Sequence, residues 1–312
     1  MKYFHGKNKK RSYFEGWYFK QTRKGELLAF IPGISIDKKG SKKAFIQIVS
    51  TDGSYQAEFD YKDTYISENS LFIRMGENEF SKHGLKVNIN KAKSLDPDKQ
   101  SNELFQCHGK LYYTHLTPLQ SDIMGPFRLI PFMECNHGVI SMRHRVTGSI
   151  TLDKKQFMFY DNMGYIEKDW GTSFPNKYFW LQCNDFATGN ASIMISVAEI
   201  PFLGTKFTGC ICSVYLNGKE YRLATYNKVK IRKLSNNQIL VQQGDLILEI
   251  SLQPSDEHTL FAPDRGNMIR KINETTLGTA SFRFQAEGKI LFEETSKNVS
   301  YEWVNMEYQN KQ

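Results

Sequence analysis

Short alternating runs of apolar and polar residues, broken by Gly, Asn and Asp, dominate the chain. Phe45-Ile46-Gln47-Ile48-Val49-Ser50 precedes Asp52-Gly53, and Ile211-Cys212-Ser213-Val214-Tyr215-Leu216 precedes Asn217-Gly218. A period of two turns alternate side chains toward a core, and Asp-Gly or Asn-Gly between two such runs is a strong hairpin signal. No helix of any length is predicted. Many short strands at regular spacing predict an all-β chain, as a barrel or a sandwich.

The pattern also repeats. Trp17 leads an apolar run ending at Ile31-Pro32 and then the Asp52-Gly53 hairpin, while Trp180 leads one ending at Ile200-Pro201 and then the Asn217-Gly218 hairpin. Each half closes on an acid followed by Trp, Asp169-Trp170 and Glu302-Trp303. A duplication accounts for this, with a first unit over residues 1–172 and a second over 173–312. The first copy carries additional sequence over 114–144, and added segments in a duplicated scaffold are where function concentrates. Trp17 and Trp180, opening the two copies, are expected to plug a barrel end.

The 312 residues suffice for two cores. The 22 Phe and 16 Tyr favour strands and apolar cavities. The formal net charge of +8 gathers in Lys7–Arg11 and around Lys38, Lys39, Lys42 and Lys43. Such runs read as a solvated tail and a hairpin tip, with peripheral contact to an anionic membrane left open. No nucleic-acid-binding signature and no obligate protein partner is evident. Five cysteines, an odd number, argue against a disulfide scaffold, and Cys210 and Cys212 read as buried thiols on one strand face. The polar, basic start lacks the apolar segment of a secretion signal, so a cytoplasmic location is expected.

The candidate chemistry is acidic and aromatic. Tyr165, Glu167 and Asp169 alternate onto one strand face, with Trp170, Trp180 and Phe186 close in sequence. Glu15, Trp17 and Phe19 likewise share a face. A carboxyl group against apolar walls keeps its proton because desolvation disfavours the charge, and aromatic faces stabilise a cation. His137, three residues from Glu134, is a candidate general base, with a structural histidine as the alternative. A structural network pinning the junction between copies is the alternative for Glu167, Lys168 and Asp169. His144, between Arg143 and Arg145, is expected to face solvent or an anionic group. The histidines are too scattered to predict a metal site, and there is no nucleophile elbow or phosphate loop.

Three segments carry a resemblance to a known family. Phe14-Glu15-Gly16-Trp17-Tyr18-Phe19-Lys20 is similar to the opening motif of the tocopherol cyclases. Gly125-Pro126-Phe127 with Pro131-Phe132-Met133-Glu134-Cys135-Asn136-His137-Gly138-Val139-Ile140-Ser141-Met142 resembles their central motif. Gly164-Tyr165-Ile166-Glu167-Lys168-Asp169-Trp170-Gly171, continuing to Phe179-Trp180-Leu181-Gln182-Cys183-Asn184, is the most specific match. The resemblance implies two lipocalin-like antiparallel barrels side by side, related to the carotenoid hydratases. It implies a cofactor-free enzyme that protonates a prenyl double bond and lets a hydroxyl capture the cation, with an apolar small molecule such as a prenyl quinol as substrate. Plant members carry Asn where this chain has Asp169, so the family does not fix the substrate, and the chain reads as a bacterial-type member. The residues expected to act are Glu167, Asp169 and His137 as catalysts. Glu15, Trp17, Phe127, Glu134, Met142, Trp170, Trp180, Gln182 and Asn184 are expected to hold the ligand. The competing expectation is a non-catalytic barrel that carries a hydrophobic ligand, which would bury few ionisable groups.

Overall fold

The computed structural model describes residues 2–97, 104–130, 133–202, 204–307 and 309–310. Pro131 and Phe132 of the central motif lie outside the described residues. Nearly all regular structure is antiparallel strand, joined by single turns of 3-10 helix such as Gly6–Asn8 and Gly125–Leu129. Among the described residues, no helix is long and apolar enough to cross a membrane.

The first sheet holds β1 (Tyr13–Arg23), β2 (Glu26–Ile36), β3 (Lys42–Ser50), β4 (Gly53–Phe59), β5 (Thr64–Ile66), β6 (Phe72–Met75), β7 (Asn78–Ser81), β8 (Gly84–Ser94), β9 (Phe105–Thr114), β10 (Cys135–Leu152) and β11 (Lys155–Gly171). Its strand order is β4-β3-β2-β1-β11-β10-β9-β8-β7-β6-β5, and β4 also pairs with β8 through Tyr55↔Ser94 and Gln56↔Lys93. That second pairing closes eight strands into a barrel and leaves β5–β7 as an appended ribbon, so the closed part has no open edge. Alternate side chains fill the interior: Trp17, Phe19, Phe30, Phe80, Phe157 and Phe159 are fully buried in one core. Each such aromatic contributes roughly 2–3 kcal/mol by leaving water.

The second sheet holds β12 (Tyr178–Cys183), β13 (Ala191–Phe202), β14 (Thr205–Leu216), β15 (Lys219–Ala224), β16 (Lys230–Leu234), β17 (Gln238–Gln243), β18 (Leu246–Leu252), β19 (Glu257–Asp264), β20 (Asn267–Ala286), β21 (Lys289–Val304) and β22 (Gln309–Asn310). The order is β15-β14-β13-β12-β21-β20-β18-β17-β16-β22, with β19 paired to β20. Where β4 meets β8 by main chain in the first sheet, one side chain joins β15 to β17 in the second. Gln243 Oε1 accepts from the Ala224 N–H at 3.0 Å, and Gln243 Nε2 donates to the Arg222 carbonyl at 2.9 Å. A primary amide offers the same donor and acceptor as a peptide group, so it can stand in for a strand pair. The Asn217-Gly218 turn has both residues at positive φ (49° and 84°), the I′ geometry of a tight hairpin.

The chain forms two compact units that are not continuous in sequence. The first comprises Met1–Pro118, Glu134–Phe174 and His258–Ile272; the second comprises Leu119–Met133, Pro175–Glu257 and Asn273–Gln312. In the first unit the 258–272 segment is held by Asp96, which accepts from the Thr259 and Ser54 N–H groups, both at 3.1 Å. Gln47 exchanges two hydrogen bonds with the Phe261 backbone, each 2.9 Å. In the second unit Arg222 donates to the Ser121 and Asp122 carbonyls, and Tyr226 donates to that of Ile123.

The expectation for the tryptophans is corrected here. Trp17 lies in the first core, but Trp180 is absent from the second, whose β12 contribution is Phe179, Leu181 and Cys183. Glu15 pairs with Trp170 and Phe179 with Trp303, so aligning the copies on their closing tryptophans sets Leu181 against Trp17. A one-residue offset in a strand moves a side chain to the other face, which is why matching Trp to Trp misled. Cys210 and Cys212 are buried, free and in the second core, as expected.

Candidate active site

Three neighbouring strands of the first unit, β1, β11 and β10, build two polar clusters on opposite faces. Directly paired residues point the same way in an antiparallel sheet. Glu15↔Trp170, Trp17↔Lys168 and Phe19↔Ile166 therefore belong to the core side, whereas Tyr18↔Glu167 and Lys20↔Tyr165 belong to the other. On β10, His137 pairs with Asp169 and Val139 with Glu167, which places them on that second face too. Register shifts between Val139 and Ser141 and between Ser141 and His144 bend β10 beside the cluster.

On this face His137 stands between two carboxylates. Its Nδ1 lies 2.7 Å from Asp169 Oδ1 and its Nε2 lies 3.4 Å from Glu167 Oε2. Tyr165 donates its hydroxyl to the same Glu167 oxygen at 2.6 Å. His137 and Glu167 are buried and Tyr165 is wholly so, while Asp169 is partly exposed. Burial, reinforced by the Glu167 charge, pushes the Tyr165 hydroxyl well above its usual range, so it remains a donor. With Nδ1–H donated to Asp169, the imidazole lone pair at Nε2 faces Glu167, and a proton can occupy either side of that gap.

His137, Glu167 and Asp169 each offer a ligand atom within 4.8 Å of the others, the only such grouping among the described residues. The geometry suits a proton better than an ion. At 2.7 Å the His137–Asp169 contact is a hydrogen bond, whereas two ligands around one tetrahedral zinc stand roughly 3.4 Å apart.

The core-side cluster is of another kind. Lys168 Nζ meets Glu15 Oε1 at 2.6 Å, with both side chains fully buried. The same ammonium lies 2.9 Å from the Tyr3 carbonyl, 3.2 Å from that of Lys2 and 2.9 Å from His5 Nδ1. Glu15 accepts in turn from the His5 and Gly6 N–H groups and from the Tyr13 hydroxyl at 2.6 Å. His5 stacks on Trp170 at 4.3 Å, and Lys168 sits over the Trp170 ring at 4.7 Å. Burial alone would raise the Glu15 acid, but the hydrogen bonds from His5 and Lys168 outweigh it and hold Glu15 ionised.

The expected site residues thus separate. Glu167, Asp169 and His137 converge. Glu15, Trp17 and Trp170 lie on the opposite face of the same strands, tied to the N-terminal segment. Met142 is fully buried but outside the core cluster, and Glu134 is half-buried, its carbonyl accepting from the Thr172 and Ser173 N–H groups. In the second unit, Trp180 and Gln182 are buried on the face of β12 away from its core, and Asn184 is buried just past the end of that strand. Phe127, also in the second unit, packs against Phe207 and Tyr226.

Lys168, expected only as part of a structural network with Glu167 and Asp169, enters the core side instead, as strand alternation requires, and pairs there with Glu15. His144 is not at the surface but buried, and neither ring nitrogen has a hydrogen-bond partner among the described residues. Its ring packs on Gly164, where any Cβ would come within 2.2 Å of Nε2, and beside Tyr113 at 4.4 Å. Burial lowers its pKa to about 3, so it is neutral.

Comparisons with known proteins agree with this architecture. The tocopherol cyclase-like family matches residues 11–303. A protein named probable tocopherol cyclase from Oryza sativa subsp. japonica is 24% identical over 273 residues, covering 72% of this chain and 58% of the relative. The tocopherol cyclase of Zea mays is 26% identical over 241 residues, covering 62% and 51%. The chain therefore spans little more than half the length of these curated relatives. Among solved structures, a Nitrosomonas europaea protein given the label AttH superposes with a TM-score of 0.53 at 14% identity, covering 94% and 93% of the two chains. CghA, solved with Sch210972, superposes with a TM-score of 0.54 at 9% identity, covering 94% and 88%. At such identities these structures speak to the fold alone, lipocalin-like and all-β. With a family match over nearly all of its length, the chain belongs to the tocopherol cyclase-like family.

Proposed function

We propose that this protein is an acid–base enzyme of the cyclase or hydratase type, acting on a prenyl double bond of an apolar small molecule. The observation that carries the reading is the buried His137, set between Asp169 and Glu167, with Tyr165 on the same Glu167 oxygen. Glu167 in its neutral form gives its proton to the less substituted alkene carbon; the π pair forms the C–H bond and leaves a tertiary cation. The carboxylate left behind is stabilised by the Tyr165 hydrogen bond. A substrate hydroxyl or a water forms the new C–O bond and passes its proton to His137 Nε2. Asp169, accepting from Nδ1, stabilises the imidazolium. The proton then returns from His137 to Glu167, and the cycle closes without an oxidant, reductant or cofactor.

A purified sample given a prenylated hydroquinone in D2O should yield a ring-closed or hydrated product carrying one carbon-bound deuterium. Glu167→Gln keeps the size of the side chain and removes the proton. It should lower turnover roughly 1,000-fold or more with the melting temperature nearly unchanged. Full turnover by that variant would sink the assignment of the donor. Binding of the probe by wild type without any product would favour the carrier instead.

A further inference from the structure

Behind the acid face the first unit holds a fully buried ion pair, Lys168 with Glu15, that takes no part in the proposed proton transfers. Lys168 sits in sequence between Glu167 and Asp169, yet its side chain leaves from the other face of β11 and ends on Glu15. A strand cannot slide or twist at one residue without moving its neighbours. Four close contacts on Lys168, at 2.6 to 3.2 Å, therefore also fix where the flanking acids point. The pair is also electrically linked to the acid face, because the Asp169 charge acts on Lys168 across the strand.

We infer that Lys168 and Glu15 are positioning residues for the acid face: a buried, neutralised ion pair behind β11 that holds Glu167 and Asp169 in register and sets the proton affinity of the His137 cluster. The inference rests on the proposed function for its catalytic meaning, but its charge coupling can be measured without turnover. The groups facing Lys168 are Glu15, His5, Lys2 and, through the strand, Asp169. Those facing Glu15 are Lys168, His5, Tyr13 and, at longer range, Tyr61. Those facing His137 are Asp169 and Glu167, the latter with Tyr165. Within the first unit, a change in the balance of the Lys168–Glu15 pair reaches His137 chiefly as field, not as contact.

Opposite signs follow for the two halves of the pair. Glu15→Gln leaves the ammonium uncompensated, which disfavours a second cation on His137, and its NMR titration midpoint should fall by about half a pH unit. Lys168→Met leaves the carboxylate uncompensated, which favours a cation on His137, and the midpoint should rise. The double variant Glu15→Gln/Lys168→Met removes both charges and should return it to within about 0.2 pH unit of wild type. The acid limb of the pH–rate profile, measured with a prenylated hydroquinone, should move in the same directions. Should Lys168→Met fail to fold, Glu15→Gln and the double variant still decide the matter. Folded single variants that leave the midpoint unmoved, or a double variant displaced as far as Glu15→Gln, would overturn the inference and make the pair a packing feature. Absence of turnover in wild type would sink the proposed function while leaving the titration test intact.

Discussion

The two copies of the barrel carry different side chains at equivalent strand positions. In the first, His137 on β10 stands opposite Asp169, the residue before Trp170. In the second, Glu274 on β20 stands opposite Glu302, the residue before Trp303. Tyrosine serves an acid in both: Tyr165 donates to Glu167, and Tyr178 donates to Glu302. The position of His137 is therefore taken by Glu274 in the second copy, and the position equivalent to Glu167 by Ser300. Carboxylates alone can hold a proton, but returning one at neutral pH calls for a group whose affinity lies near that pH, which among side chains is histidine. The duplication kept the scaffold, and the proposed relay belongs to one copy.

The sharpest way to break this contrast is to remove one member from each copy. His137→Gln should lower turnover roughly 100- to 10,000-fold, the range expected for losing a general base. Glu302→Gln should leave it within about threefold. Equal losses from both would mean that the acid of the second copy takes part and that the asymmetry is only apparent.

Much of this was legible beforehand, and the failures have a common source. Period-two alternation identified strands, hairpins and duplication, because one buried face imposes that period on composition. It also grouped Tyr165, Glu167 and Asp169 correctly. It could not say that Glu15 and Trp17 lie on the far side of the sheet, since facing depends on the β1–β11 register, which is a long-range pairing. The same ignorance of register matched Trp180 to Trp17. His144 was misread for a different reason. Its arginine neighbours suggested solvent, whereas the register shifts in β10 turn it inward and Gly164 makes room for its ring.

That buried histidine gives the next test, one confined to the first unit. His144 is neutral in the fold, with a pKa near 3, and ordinary, about 6.5, in the unfolded chain. Above pH 6.5 neither state takes a proton there, so it has no effect. As pH falls below 6.5 the unfolded chain binds a proton that the fold excludes, and stability declines by about 1.4 kcal/mol per pH unit until about pH 3. Denaturant unfolding at pH 7.5 and pH 5 should show a loss of about 2 kcal/mol attributable to this group. His144→Phe, shaped to sit over Gly164, should flatten that slope. A variant with the wild-type slope would assign the acid sensitivity elsewhere.

The smallest expected effect concerns how the barrels close. The first closes by main-chain pairing of β4 with β8, which no side-chain substitution removes outright. The second joins β15 to β17 through the amide of Gln243. Gln243→Leu retains most of the volume but leaves the Ala224 N–H and the Arg222 carbonyl without that partner. Ala224 is buried, so water cannot easily replace the lost acceptor, and a cost of about 1–2 kcal/mol follows. Hydrogen exchange reads this locally: the Ala224 amide should exchange about tenfold faster or more, with amides of β3 and β4 in the first unit unchanged. Gln243→Glu separates the two bonds. It keeps an acceptor for Ala224 but loses the donor to Arg222, so protection at Ala224 should largely survive. If both variants leave Ala224 as protected as in wild type, the closure rests on the packing of Leu223, Val241 and their neighbours in the second core, and the two barrels close alike.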